Sequence, residues 1–260
     1  MSSFLDLPAR SSKPRSEGLT HVLDRGLAVS DVEGLMEVAG DAVDVVKLGW
    51  GTALATGNLR DKLARYRAHD IPVVLGGTLT ELAISQGRVE QLIAFLHDHD
   101  LKHVEVSDGS IALERDRKLA LIERLAGEFT VFSEVGSKDA EAIMAPYRWV
   151  EQIRAELDAG AWKVIAEARE TGTAGIYRPD GEVRMGLIDE IAHEIDQHDI
   201  LWEAPQKDQQ VFFIRRFGHD VNLGNIAPND VLPLETLRLG LRSDTIGGGG
   251  GGGGGRTNEQ

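Results

Sequence analysis

Ionisable side chains cluster at the ends of several short β-rich runs in this sequence. Glu105 is followed by Ser107 and Asp108, Glu134 by Lys138, and Glu167 by Arg169 and Glu170, while Lys47 and Glu203 each close an apolar run. Alternation along a strand puts Glu105 with Ser107, and Glu167 with Arg169, on one face. If those faces share an interior, four glutamates converge on one rim. Carboxylates crowded there repel one another, and each costs several kcal/mol to bury without a partner. Structural bridges to Lys47, Lys138, Lys163 and Arg169 would offset part of that cost, and a divalent cation would offset more. Convergence from four successive runs favours the cation. Oxygen-only ligands suit Mg²⁺, which combines one or two carboxylates with substrate oxygens. The expected ligand group is Glu105, Glu134 and Glu167, with the directly coordinating members left open.

A site that takes anions also needs local positive charge and free backbone N–H groups. Arg169 and Lys47 supply charge. The stretch Asn222-Leu223-Gly224-Asn225-Ile226 supplies a glycine, which lets backbone approach an anion closely, and amide donors. Asp24 and Glu203, at the ends of their own runs, complete the expected substrate contacts. Other motifs carry no chemistry. His193 and His198 stand five residues apart, whereas a helical zinc pair needs four. His97 and His99 read as surface residues, and Trp50, Trp149, Trp162 and Trp202 as core or rim packing. There is no phosphate-binding Walker loop and no G-x-S-x-G elbow.

The elements that must position these groups repeat eight times. The β-rich runs are Thr20–Asp24, Val43–Lys47, Val73–Leu75, His103–Val106, Thr130–Glu134, Trp162–Ala168, Ile200–Ala204 and Val221–Leu223. Between them, apolar residues recur at spacings of three and four, as in Leu59, Leu63, Tyr66, in Leu119, Ile122, Leu125 and in Leu187, Ile188, Ile191, Ile195. Pro146 is expected to break or kink the fifth helical segment. Eight strand–helix units predict an α/β fold, a single-domain (β/α)8 TIM barrel, with its active site at the carboxyl ends of the strands. An open doubly wound sheet is the rival, and the lack of a Gly-rich dinucleotide fingerprint tells against it. The expected boundaries are an irregular N-terminal arm over 1–17, the barrel over 18–246 and a flexible poly-Gly tail over 247–260.

Composition bounds the partners. The 260 residues carry 28 Lys+Arg against 42 Asp+Glu, a net charge of −14, which argues against an extended nucleic-acid or anionic-lipid surface. Cysteine is absent, which removes disulfides, thiolate nucleophiles and Cys-ligated metals. No apolar run approaches a membrane span, and the first 16 residues lack the apolar core of a secretory signal. A cytoplasmic enzyme is expected.

Taken in order, the strand-end segments Lys47-Leu48-Gly49-Trp50-Gly51-Thr52, Gly76-Gly77-Thr78, Glu105-Val106-Ser107-Asp108-Gly109, Glu134-Val135-Gly136-Ser137-Lys138, Glu167-Ala168-Arg169-Glu170-Thr171-Gly172, Trp202-Glu203-Ala204-Pro205 and Val221-Asn222-Leu223-Gly224-Asn225 resemble the phosphosulfolactate synthase family. The likeness runs from about residue 13 to Thr245. It implies a carbon–sulfur lyase that adds sulfite to phosphoenolpyruvate with Mg²⁺, giving (2R)-phospho-3-sulfolactate, an early step toward coenzyme M. It also suggests a homo-oligomer. Two other readings stay open at this point: a non-catalytic barrel related to heat-stress proteins, and another phosphoenolpyruvate or phosphosugar lyase on the same fold. For the synthase, Lys138 is the expected proton donor, because it follows the fifth strand just after Gly136, where a loop can lean over the barrel mouth. Lys47 is the runner-up.

Overall fold

Strands covered on both faces need apolar side chains on both, and the β-rich runs are built that way. In the computed structural model, which describes residues 4–136, 144–169 and 171–246, they form β1 (Thr20–Asp24), β2 (Val45–Leu48), β3 (Val73–Leu75), β4 (His103–Val106), β5 (Thr130–Val135), β6 (Lys163–Ala166), β7 (Ile200–Glu203) and β8 (Leu223–Ile226). Each pairs in parallel with the next, and β8 pairs with β1, so the sheet closes into an eight-stranded barrel. The helices between strands are α1 (Val29–Ala39), α2 (Thr52–Ala55), α3 (Leu59–Ala68), α4 (Gly77–Ser85), α5 (Val89–Asp98), α6 (Arg115–Ala126), α7 (Pro146–Asp158), α8 (Met185–Glu194), α9 (Lys207–Phe217) and α10 (Val231–Arg238).

The wall divides two apolar clusters. Val22, Val46, Leu75, Val104, Val164 and Trp202 face outward into the larger cluster, against the buried stripes of the helices. Leu19, Val45, Val74, Phe132, Ile165 and Leu201 form a smaller one inside the barrel. Two residues further along the same strands, the inward positions turn polar: Lys47 follows Val45, Glu134 follows Phe132, Glu167 follows Ile165 and Glu203 follows Leu201. The apolar plug fills the lower half of the barrel and leaves the carboxyl-end half to charge.

Three expectations on the elements shift. The eighth strand starts at Leu223 and runs through Gly224 and Asn225, so these residues lie in the wall and the following loop begins beyond Ile226. The second strand likewise starts two residues later than expected, at Val45. Pro146 does not break a helix; it occupies the first turn of α7, where its missing N–H is no loss. Between β6 and α8 an unforeseen small loop is closed by an antiparallel bridge of Tyr177 with Val183.

The β1–β8 seam is irregular: Thr20 pairs with Leu223 but Val22 with Ile226, so β8 carries an extra residue opposite His21. Asn225 takes φ 57° in this bulge, and such bulges re-aim side chains beside functional sites. Residues 4–18 contain no helix or strand. They are tied to the barrel floor by Arg10, which bonds Asp220 at 2.8 Å, Glu235 at 3.1 Å and the carbonyl of Gly18 at 2.8 Å. Arg238, buried in α10, donates to the carbonyls of Leu19, Val221 and His219 and bolts the seam from below. Among the described residues no helix is long and apolar enough to cross a membrane.

Candidate active site

At the carboxyl end of the barrel lies a cavity of about 410 Å³, lined by Lys47, Glu105, Glu134, Glu167, Glu203 and Arg169 together with Trp50, Asn225 and the Gly76-Gly77-Thr78 turn. The four glutamates come from four adjacent strands or strand ends, as alternation requires, and all are buried. Lys47 reaches in from β2. Its ammonium lies 3.2 Å from Glu203 Oε1 and 3.5 Å from Glu105 Oε2.

Each carboxylate is held from its own side. Glu105 Oε1 accepts the N–H of Gly77 at 2.6 Å, in the first turn of α4, where the helix dipole favours negative charge. Thr80 in the same helix donates to the Glu105 carbonyl at 2.6 Å. A glycine is required at 77, since a Cβ there would lie 2.5 Å from Ser107 Oγ and 2.9 Å from Glu105 Oε1. Glu203 Oε2 accepts the N–H of Ala168 at 2.9 Å, and Glu167 Oε1 accepts the N–H of Arg169 at 2.5 Å. That last bond follows from Arg169 taking φ 58°, which folds the chain back over its own strand end. Gly136 lies against Glu167 Cβ and Trp149, with no room for a side chain.

Among the described residues, the buried charges in the cavity are mostly carboxylates. Burial pulls the Lys47 ammonium toward neutrality, but Glu105, Glu203, Glu134 and Glu167 together more than reverse this, and its pKa is raised above the ordinary lysine value. Burial pushes Glu105 up to about 7, against the pull of Lys47 and with Glu134 and Glu203 adding to it. Glu203 is raised for the same first reason. Among the described residues, Lys47 is the buried lysine that faces Glu105 and Glu203. Glu105 Oε2 has no hydrogen-bond donor, only Lys47 at 3.5 Å. Such an oxygen, in a set made solely of carboxylates, fits a hard divalent cation. Among the described residues no three His, Asp or Glu side chains are drawn together into a ready-made metal cage.

Several expected site residues are placed elsewhere. Asp24 does not face the cavity; its carboxylate accepts from Lys62 at 2.6 Å, Tyr66 Oη at 2.8 Å and the N–H groups of Gly26 and Leu27 at 2.8 Å. It points outward to α3 because it lies one residue off the inward parity of Leu23. Asn222 precedes β8 and sits at the barrel floor, where it accepts from Leu19 N–H and donates to the carbonyls of His198 and Ile200. Neither contacts the cavity. Gly224 is inside the wall, packed toward Leu201 and His21, while its neighbour Asn225 does reach the cavity. Glu203 lines the cavity but is engaged by Lys47 and Ala168. Lys138 and Glu170 lie outside the described residues.

Two features are not evident from the sequence. Trp50, at φ 55° and 56% exposed, stands on the rim with the Arg25 guanidinium 5.2 Å over its ring. Lys118 is buried in α6 behind the strand ends. Its signal is its place four residues before Ile122 on the buried stripe, although the apolar spacing points to Leu119 as the inward position.

The match to known proteins runs across the same elements. Residues 8–244 fit the family model described as (2R)-phospho-3-sulfolactate synthase (ComA). The chain belongs to that family. A phosphosulfolactate synthase of Bacillus subtilis (strain 168) is 42% identical over 93% of this chain and 97% of its own length. Another, of Methanothermobacter thermautotrophicus, is 42% identical over 92% and 95%. Among solved structures, 3-hexulose-6-phosphate synthase from Salmonella typhimurium superposes with a TM-score of 0.53 at 14% identity, over 87% of this chain and 92% of that one. That likeness is one of barrel fold. The relatives' names make the chain one of a family of enzymes, and the buried glutamates, Lys47 and Arg169 line its cavity.

Proposed function

We propose that this enzyme adds sulfite to phosphoenolpyruvate to give (2R)-phospho-3-sulfolactate, as a carbon–sulfur lyase dependent on Mg²⁺. The observation that carries the reading is the buried Lys47 bracketed by Glu105 and Glu203 on the rim of a polar cavity, in a chain of the phosphosulfolactate synthase family. A barrel kept only for protection has no need of so costly a cluster.

In the reaction the sulfur lone pair of sulfite attacks C3, forming the C–S bond. The π electrons move toward C2 and the carboxylate, and C2 then takes one proton, so no leaving group departs. One or two of Glu105, Glu134 and Glu167 would hold Mg²⁺, which when bound would supply electrostatic stabilisation of charge on the substrate carboxylate. Lys47 keeps its proton because of its four carboxylate neighbours, and it serves as a fixed positive charge beside that oxygen. Arg169 and Asn225 hold the substrate anions at the rim. Lys138 delivers the proton to C2 from one face. The product would feed a pathway such as coenzyme M synthesis, within the cytoplasm and from a homo-oligomer.

Incubation of the protein with phosphoenolpyruvate and sulfite tests this directly. Phosphosulfolactate should form with Mg²⁺ and cease on exhaustive chelation. Turnover of phosphoenolpyruvate with a different nucleophile, but not with sulfite, would move the enzyme to another lyase activity. No turnover at all would return it to a non-catalytic role.

A further inference from the structure

Lys118 is 3% exposed, and all three of its ammonium protons are used. They go to Asp108 Oδ1 at 2.8 Å, Glu156 Oε1 at 2.8 Å and the backbone carbonyl of Glu134 at 2.7 Å. These partners belong to different pieces of chain: the turn after β4, helix α7, and the end of β5. The β4–β5 ladder has its last register pair at Val106 and Ser133. Beyond that pair the two strand ends, one two residues from Glu105 and the other carrying Glu134, have no pairing between them. The ammonium stands in that gap and joins them. A buried ammonium is costly, and an apolar side chain of equal length would pack the same space without two acids to neutralise it. What the lysine adds is a fixed distance.

We propose that Lys118 is a positioning residue of the reaction, clamping the ends of β4 and β5 so that Glu105 and Glu134 face the cavity at a set separation. It touches neither substrate nor cavity, and it acts through the Glu134 carbonyl and the Asp108 turn. The activity side of this inference rests on the synthase reading; the clamp itself does not.

Three variants test it. Lys118→Met removes the clamp, and Asp108→Ala removes its β4 arm from a half-buried turn. Glu156→Gln leaves both strand-end contacts in place and serves as the control for lost packing charge. For Lys118→Met, kcat should fall about 10- to 100-fold, the scale seen when a partner that orients a functional ligand is lost, while KM for phosphoenolpyruvate stays within about threefold. Asp108→Ala should fall in the same direction, and Glu156→Gln should keep kcat within about threefold even if its melting temperature drops. Amide hydrogen exchange should rise at Ser107–Asp108 and Glu134–Val135 in the first two variants and not at β1 or β7. A kcat that follows melting temperature across all three variants, or unchanged exchange at those strand ends, overturns the proposal. If Lys118→Met does not fold, Asp108→Ala decides by the same two readings. If the wild type makes no phosphosulfolactate, the synthase reading fails while the exchange pattern still decides the clamp.

Discussion

Lys47 is buried among four glutamates at the rim, and its removal should be felt twice. Lys47→Met leaves Glu105 and Glu203 facing each other without their cation, at a cost of about 3–5 kcal/mol for breaking a buried pair. Urea unfolding should show that loss, and kcat should fall at least about 100-fold if the fixed charge supports the reaction. Retained activity would remove Lys47 from the machinery. Arg169 is exposed at the cavity wall, so Arg169→Ala should raise KM for phosphoenolpyruvate and lower kcat/KM by about tenfold or more with little change in stability; an unaltered kcat/KM excludes it from anion binding. Lys138→Ala should cut kcat by roughly 100-fold with substrate binding kept, the scale of lost acid catalysis. Turnover within a few-fold of wild type would exclude Lys138 as the proton donor.

Strands make the glutamates legible in the sequence itself, because period-two alternation fixes which residues share a face. Helices and loops are harder to read. Asp24 ends its strand as Glu203 does, yet one step of parity sends it to Lys62 and Tyr66 in α3 rather than to the cavity. Asn222 has the sequence context of a loop donor, but β8 starts at Leu223, two residues later than its β-rich run, and Asn222 stays at the floor. Lys118 is hidden by the assumption that a buried helix stripe is apolar. The start of α4 carries a prediction of its own. Gly77→Ala would drive a methyl group into Ser107 and Glu105 Oε1 while leaving an ordinary helical residue. Activity should therefore drop more steeply than stability, since the displaced atom belongs to the site. A variant that is destabilised but fully active per folded molecule would show that α4 does not fix Glu105.

Across the whole molecule, His21, enclosed in the barrel, and His103, partly buried, tie stability to pH. His21 is 1% exposed inside the barrel, and burial first, then Lys47, holds its pKa well below the ordinary imidazole value. Burial lowers His103 as well. The unfolded chain takes up protons at both rings near the ordinary value of about 6.5 while the folded chain does not, so the unfolded state binds more protons there. Their contribution is complete above about pH 6.5 and is lost as pH falls below it, at up to about 1.4 kcal/mol per pH unit for each ring. His21→Phe, which sets a ring beside Phe132, should flatten the slope of unfolding free energy between about pH 6.5 and 5; an unchanged slope would show that His21 does not contribute. The seam closed by Arg10 and Arg238 has a consequence in time. A ribosome delivers β1 at the outset, but the guanidinium that grips Leu19 and Val221 arrives only with α10, more than two hundred residues later. Until then β1 lacks the Arg238 tie that joins it to β8 in the finished barrel. The barrel can be sealed at this seam only after α10 has been made, so the order of synthesis puts closure after all eight strands.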